Sequence, residues 1–307
     1  MRDKQEFLIK LTKVDQMLTK LLKQDFGKYA SQAYEMALIP EYTSYPAYFD
    51  GIKTKEDFLD RASKAFEQEN EEILLFFFDG DFSGWIHYFY LEEDRYLDTV
   101  SLSASKGMEQ MLDEFLRYIA MKYPDATVYL GFPTENRIAL GHLTHRGFTV
   151  DEISWNTMLE LSSAKSGNAP AVSSVPIRKE NFGLFEFLHA QRNGQMYWDS
   201  GKILCDIDEW VIFAVLRDNR PIGAIYSKRG RQISEIFGTD YDEGRFDSGL
   251  QSDLLQAVIQ AHKSDGSRYL IWFCDDWEKR IACDTGFTCI GKYIMVKQKA
   301  SFTNADG

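Results

Sequence analysis

Cysteine is sparse in this chain of 307 residues: four, at Cys205, Cys274, Cys283 and Cys289, and no two form a Cys-x-x-Cys pair. That excludes a disulfide framework, and their strand and helix contexts fit buried packing. No apolar run approaches the roughly 18 residues needed to span a bilayer. The opening MRDKQEF carries no apolar signal segment, so a cytosolic (cytoplasmic) protein is expected. Basic residues are outnumbered, 35 Lys and Arg against 47 Asp and Glu, for a net charge of −12. Neither nucleic acid nor an anionic membrane is therefore an expected partner, although a local basic pocket for an anionic ligand stays compatible with that balance. There is no Gly-x-Ser-x-Gly and no P-loop lysine motif, which weakens hydrolase and NTPase readings. His142 and His145 lie three apart on a helical pattern, but no further ligand cluster accompanies them, so solvated helix histidines outweigh a zinc pair.

What the chain does have is apolar content, 44% with 14% aromatics, and length for two cores rather than one. It also has an internal echo. Gly84 and Gly223 each follow a strand-like run, Gly107 and Gly249 each open a helical pattern, and Arg146–Val150 (RGFTV) matches Thr285–Cys289 (TGFTC). All three pairs recur at one offset of about 140 residues, the mark of two copies of one fold. Between the copies, Ser162–Ser174 (SSAKSGNAPAVSS) is small and polar, a linker composition. The expected division is residues 1–161, a linker at 162–174, and residues 175–307.

In the first copy, Phe7–Leu11 is expected as a strand and Val14–Phe26 as a helix with Leu18, Leu21 and Leu22 inward. Tyr42–Tyr48, with three tyrosines and Pro46, is a loop. Thr54 precedes acids as a helix N-cap. Apolar strands follow at Ile73–Phe78, Trp85–Leu91 and Asp98–Leu102. A helix from Met108 to Ile119, a strand at Ala126–Gly131, a helix at Asn136–His145 and a strand at Phe148–Leu161 complete it. The second copy restarts near Val175. Its Ile233–Gly238 strand, Leu250–His262 helix, Tyr269–Cys274 strand and Gly286-Phe287 repeat the order.

Strand, glycine turn, helix, strand, helix and Gly-Phe, in that order, resembles the core of the GNAT acyl-CoA N-acyltransferases. The resemblance implies an α/β fold of two GNAT-like domains, each a mixed, mainly antiparallel sheet flanked by helices. It implies acetyl-CoA as cosubstrate and a small-molecule or peptide amine as acceptor. The family motif Gln/Arg-x-x-Gly-x-Gly/Ala keeps only its first glycine here, in Ala104-Ser-Lys-Gly107-Met-Glu109 and Phe246-Asp-Ser-Gly249-Leu-Gln251. Backbone N–H groups at such a turn would face the pyrophosphate, with the helix N-terminus adding partial positive charge. Glu109 is repulsive there, so Ser248, Gly249, Leu250, Gln251 and Ser252 make the better cradle, tempered by Asp247 and Asp253. For either glycine alone, a plain turn-cap is an equal reading.

The second signature, Asn-x-x-Ala-x-x-x-Tyr-x-x-x-Gly-Phe, is matched at Asn136, Ala139, Gly147 and Phe148, with Leu143 in place of the tyrosine that serves the family as general acid. The second copy has Asp275, Glu278 and Ala282 and keeps only Gly286-Phe287. In some members a glutamate fourteen residues before the first glycine acts as general base, which points to Glu235, with Asp98 as its weaker counterpart. An acid on an edge strand facing water is the competing reading. His189, Tyr197 and Trp198 fall where the family builds the acceptor wall, and core packing accounts for them as well. The expected function is acetyl transfer from acetyl-CoA to an amine, in the second copy. The competing class is a noncatalytic GNAT-like protein that holds a ligand or partner.

Overall fold

The computed structural model describes residues 17–164, 174–194, 196–242 and 247–300. The strand expected at Phe7–Leu11 and most of the expected linker lie outside the described residues. The first half of the chain runs β1 (Leu18–Lys20), α1 (Phe26–Ala37), α2 (Lys55–Ser63), β2 (Glu71–Phe78), β3 (Asp81–Leu91), β4 (Tyr96–Ala104), α3 (Met108–Lys122), β5 (Thr127–Pro133), α4 (Arg137–His145) and β6 (Thr149–Glu160). The second half runs β7 (Ser174–Pro176), α5 (Gly183–His189), α6 (Ser200–Cys205), β8 (Trp210–Arg217), β9 (Arg220–Lys228), β10 (Ile233–Tyr241), α7 (Ser248–Ser264), β11 (Tyr269–Cys274), α8 (Asp276–Thr285) and β12 (Thr288–Lys299).

Contacts divide the described chain into two compact units. Unit 1 holds the residues through Ile153 together with those from Tyr293 onward, and unit 2 holds Ser154–Lys292. In unit 1 the strands lie in the order β1-β2-β3-β4-β5-β12, antiparallel throughout except for β4 beside β5. In unit 2 the order is β7-β8-β9-β10-β11-β6, and the parallel pair is β10 with β11. The repeat is therefore present strand for strand. The sixth strand of each unit comes from the other half of the sequence. Tyr293–Lys299 of β12 pairs with Pro133–Thr127, and Trp155–Glu160 of β6 pairs with Cys274–Tyr269. A division of the sequence at 162–174 assigns these two strands the other way round. Linear spacing locates a strand but not the partner its edge will find.

Each sheet is covered on both faces. In unit 1, Phe115, Leu112 and Ile119 of α3 pack on Leu74, Ile86, Leu97 and Leu102, and the exchanged strand adds Val296. The opposite face takes Ala30, Ala33 and Ala37 of α1 and Phe58 of α2 against Leu75 and Trp85. In unit 2, Leu254, Leu255 and Val258 of α7 pack on Ile225, Ile236 and Trp272, with Leu159 from β6. Phe185, Leu188 and Ile203 cover the other face. Fully burying a side chain of this size contributes about 1.5–3 kcal/mol, so the exchanged strands are part of each core's stability.

The helix expected over Val14–Phe26 is a correction. Leu18–Lys20 is a strand on β2, and the helix begins at Phe26. Its inward face is Ala30, Ala33, Met36 and Ala37, while the helical spacing of Leu18, Leu21 and Leu22 suggests a helix one element too early. Other local expectations hold. Thr54 caps α2 in a reciprocal box with Asp57. Gly147 (φ 86°) and Gly286 (φ 109°) stop α4 and α8 in the left-handed conformation, turning Phe148 and Phe287 into the cores.

Candidate functional site

In both units the parallel pair comes apart. β4 pairs with β5 only at Tyr96↔Thr127 and Leu97↔Val128. β10 pairs with β11 over four positions, Ile233–Ile236 with Tyr269–Trp272. Beyond these points each antiparallel ladder carries a bulge, at Val100 against β3 and at Phe237 against β9. A bulge adds local twist and steers a strand away from its neighbour. The result is a cleft between two strands whose facing N–H and C=O groups must bond elsewhere. Counting from the bulges makes Asp98 the counterpart of Glu235, and Leu102 and Ser103 the counterparts of Thr239 and Asp240.

Unit 1 fills its cleft with its own main chain. Thr43 bridges Ser103, with Ser44 N–H donating to Leu102 O (2.8 Å) and Ala104 N–H to Tyr42 O (2.9 Å). Ser44 Oγ accepts from Leu102 N–H (2.9 Å), and Tyr45 N–H donates across the gap to Gly131 O on β5 (2.8 Å). Asn136 locks this plug: its Nδ2 donates to Thr43 O (3.1 Å) while its Oδ1 caps Ala139 N–H (3.1 Å). Asn136 is fully buried by these duties. Gly107 precedes α3 in the left-handed conformation (φ 64°), where a Cβ would collide with the Phe78 ring. No side chain caps the first turn of α3. A shallow groove of about 380 Å³ beside it is lined by Glu109, Arg137, Ile138, Gly141, His142 and His145. His142 is bonded to Asp113 (2.8 Å) and His145 to Gly141 O (3.0 Å).

Unit 2 differs at each of these points. Among the described residues, no backbone group from another segment bonds the β11-facing edge of Gly238–Asp240. The gap is spanned by side chains: Thr239 Oγ1 donates to Glu278 Oε1 (2.9 Å), and Glu278 Oε2 accepts from Asp275 N–H (3.0 Å). Glu278 occupies the position of Ala139 in the first copy and is 8% exposed. Burial pushes its carboxyl up, partly offset by the bonds from Asp275 and Thr239. Tyr241 OH donates to Gln251 Oε1 (3.0 Å), and Gln251 is fully buried. On the other face Asp240 is sealed, held by His189 Nδ1 (2.7 Å) and Arg192 Nε (3.1 Å). His189 Nε2 faces Trp198 O (2.9 Å).

The expected cradle at α7 is folded differently from a free anion site. Asp247 Oδ1 accepts from both Gly249 N–H and Leu250 N–H (3.0 Å each), so a carboxylate of the chain already sits where a phosphate would. Gly249 is helical, and a Cβ there meets only Asp247 Oδ1, at 3.4 Å. Leu250 and Gln251 point inward and are buried, while Ser252 Oγ bonds back to Ser248 O (3.0 Å). Glu235 is half-buried, directly opposite Lys228 on β9 and Ile271 on β11. Beside it, Lys228 Nζ lies 4.0 Å from the Trp198 ring centre and 5.6 Å from that of Trp210, with Phe237 completing the wall.

No protein-family model matches the sequence, and no curated protein does either. Solved structures do. A GCN5-related N-acetyltransferase from Sphaerobacter thermophilus superposes with a TM-score of 0.65 at 13% identity, over 94% of this chain and 97% of its own. A tandem GNAT protein from the clavulanic acid biosynthesis pathway gives 0.55 at 11% identity, over 94% and 99%. A GCN5-related N-acetyltransferase from Kribbella flavida gives 0.55 at 13%, over 78% and 92%. The chain has the GNAT fold. Two GNAT-like domains account for nearly its whole length, at identities that speak for fold alone.

Against that fold, the sequence pattern locates the clefts but not their contents. Glu278 is not singled out by the GNAT signature, since it stands at a motif position that calls for alanine. An acid on the inward stripe of a short helix was the available signal. Nothing in the Tyr42–Tyr48 composition announced a plug rather than a surface loop. Among the described residues no group of three or more His, Cys, Asp or Glu side chains could hold a metal, and no helix is long and apolar enough to cross a membrane.

Proposed function

We propose that the protein is an acyl-CoA N-acyltransferase, acetyl-CoA and an amine being its substrates, and that transfer takes place in the cleft of unit 2. The carrying observation is the contrast between clefts: main chain occupies β4 in unit 1, whereas Gly238–Asp240 of β10 offers backbone groups to an extended, amide-bearing arm. An alkylamine with a pKa near 10.4 arrives protonated, so a carboxylate must accept its proton before the nitrogen attacks the thioester carbon. Glu278, desolvated at the cleft, and Glu235, on the aromatic face with Trp198 and Phe237, are the two acids placed for that duty. The departing thiolate takes up a proton in turn, which a protonated Glu278 is suited to give. Acetyl-CoA fits the strand edge better than the start of α7, where the Asp247 carboxylate opposes a pyrophosphate.

That same Asp247 cap favours a second reading, a GNAT-fold protein that binds without turning over. Acetyl-CoA titrated calorimetrically into the full chain, with thiol release followed over a broad amine panel, separates them. Saturable binding with amine-dependent thiol release supports the enzyme. Binding without release supports the second reading, and no binding at all removes both.

A further inference from the structure

One indole in unit 2 draws two ammonium groups. Trp155 of β6 has Lys279 Nζ, from α8, over its ring at 3.1 Å from the centre, and Lys292 Nζ, from β12, at 4.7 Å from the same centre. The two nitrogens lie no farther apart than the sum of those distances, about 8 Å, where their charges repel. All three side chains are half-buried, so they are reachable from solvent. Among the described residues, neither lysine forms an ion pair or a hydrogen bond through its side chain.

The carboxylate beside the ring serves the ring. Asp276, first in α8, accepts from Trp155 Nε1 (2.6 Å), a bond made at the indole edge, whereas the ammonium groups stand over its face. No ion pair joins Asp276 to either lysine. Lys297, half-buried like them, is ion-paired with Asp151. In a chain whose acids outnumber its bases by 12, two neighbouring lysines left without an acid stand out. A ring face attracts each cation but does nothing for the repulsion between them. We propose that unit 2 binds a small phosphate monoester here, its phosphate bridging Lys279 and Lys292 beside Trp155.

The chemistry narrows the ligand. Charge-assisted N–H···O bonds run about 2.7–2.9 Å, so two oxygens of one phosphate can join ammonium nitrogens up to about 8 Å apart. A phosphate monoester carries about −1.5 to −2 at neutral pH, enough to answer both lysines, whereas a carboxylate carries a single charge. A nucleic acid offers phosphates too, but its long run of charge meets a chain of net charge −12, so a small ligand is favoured. The site uses none of the residues of the Gly238–Asp240 cleft and does not involve the Asp247 cap of α7. It therefore stands whether or not unit 2 transfers acyl groups.

The test is methyl phosphate titrated into the full chain at constant ionic strength. Binding is followed by calorimetry and by the Trp155 indole N–H resonance, assigned from its absence in Trp155→Phe. Saturable binding is expected, with the resonance moving along the same curve. Lys279→Met and Lys292→Met keep an apolar stem over the ring and remove one charge each, so each should weaken binding by about fivefold or more, and the double variant should abolish it. Lys263→Met, an exposed lysine of α7, should leave affinity unchanged. Acetate should bind about tenfold more weakly than methyl phosphate. The site is overturned by a lack of saturable binding, a Trp155 resonance that stays still, or a double variant within about twofold of the parent. Equal weakening by Lys263→Met, or acetate binding as tightly as methyl phosphate, overturns it as well.

Discussion

In unit 1 the parted strands are rejoined by main chain at Tyr42–Tyr45, while in unit 2 the same gap is spanned by the side chains of Thr239 and Glu278. The helix starts differ in the opposite sense. α3 begins at a left-handed Gly107 with no side-chain cap, and α7 begins under the Asp247 carboxylate. Each unit thus keeps one half of what an acyl-CoA ester would use and has closed the other. Backbone hydrogen bonds contribute about 1 kcal/mol net apiece, so a plug with several of them is a fixed part of unit 1. A two-atom contact between Thr239 and Glu278 can yield to a ligand.

The comparison breaks most sharply on Glu278→Gln. Turnover of an amine should fall by roughly 10²–10⁴-fold while acetyl-CoA binding survives. Glu235→Gln measured in parallel identifies the proton acceptor, since only its loss shrinks as pH rises and the amine arrives neutral. Full turnover in both variants would remove transfer from unit 2.

The two motif glycines should separate next. Gly107→Val forces a β-branched residue into the left-handed region against Phe78 and is expected to cost about 2–4 kcal/mol in denaturant unfolding. Gly249→Val, in helical backbone where a Cβ meets only Asp247 Oδ1 at 3.4 Å, should stay within about 0.5 kcal/mol. Equal losses would mean that the helix starts are alike after all.

Acid should then distinguish the units. Burial alone would raise Glu71 and Glu72, but His87 and Arg61 bind the first, and Lys122, Lys20, Tyr88 and Tyr118 bind the second, holding both at about 2. Their folded values lie below the unfolded one, so their stabilisation is present above about pH 4.5 and is lost as pH falls toward 2. Glu278 is shifted the other way, and its penalty grows as pH rises above the unfolded value. Hydrogen exchange followed from pH 5 to 3 should show β2 amides losing protection before those of β10. The reverse order contradicts these assignments.

The smallest effect is at Asp247. Asp247→Ala frees two amides and removes a negative charge, so acetyl-CoA affinity should rise several-fold although α7 loses about 1 kcal/mol of capping. Unchanged affinity would place the cofactor's phosphates away from α7.

How far the sequence could carry these distinctions depends on range. Gly147-Phe148 and Gly286-Phe287 are local events, a helix stop and an inward turn, and they show in five residues. The spacing of Gly84 and Gly223 carries the repeat, and both glycines sit in equivalent register, opposite Ala104 and Tyr241. Asn136 matches a family motif, yet its buried side chain holds Thr43, far away in sequence. Glu278 likewise depends on Thr239, and the plug on Leu102 and Gly131. A window of periodicity contains none of these partners, and at Leu18, Leu21 and Leu22 the helical spacing of leucines stands on a segment that pairs as a strand with β2.

The exchange of sixth strands has a consequence for synthesis. As the chain leaves the ribosome, β5 emerges with its outer edge, Thr127–Pro133, awaiting β12, the last strand of the second copy to be translated. The first half therefore waits with an open ladder, an invitation to pair with any other extended segment nearby. A nascent chain held in the second copy before β12 is a chain whose first sheet is still one strand short.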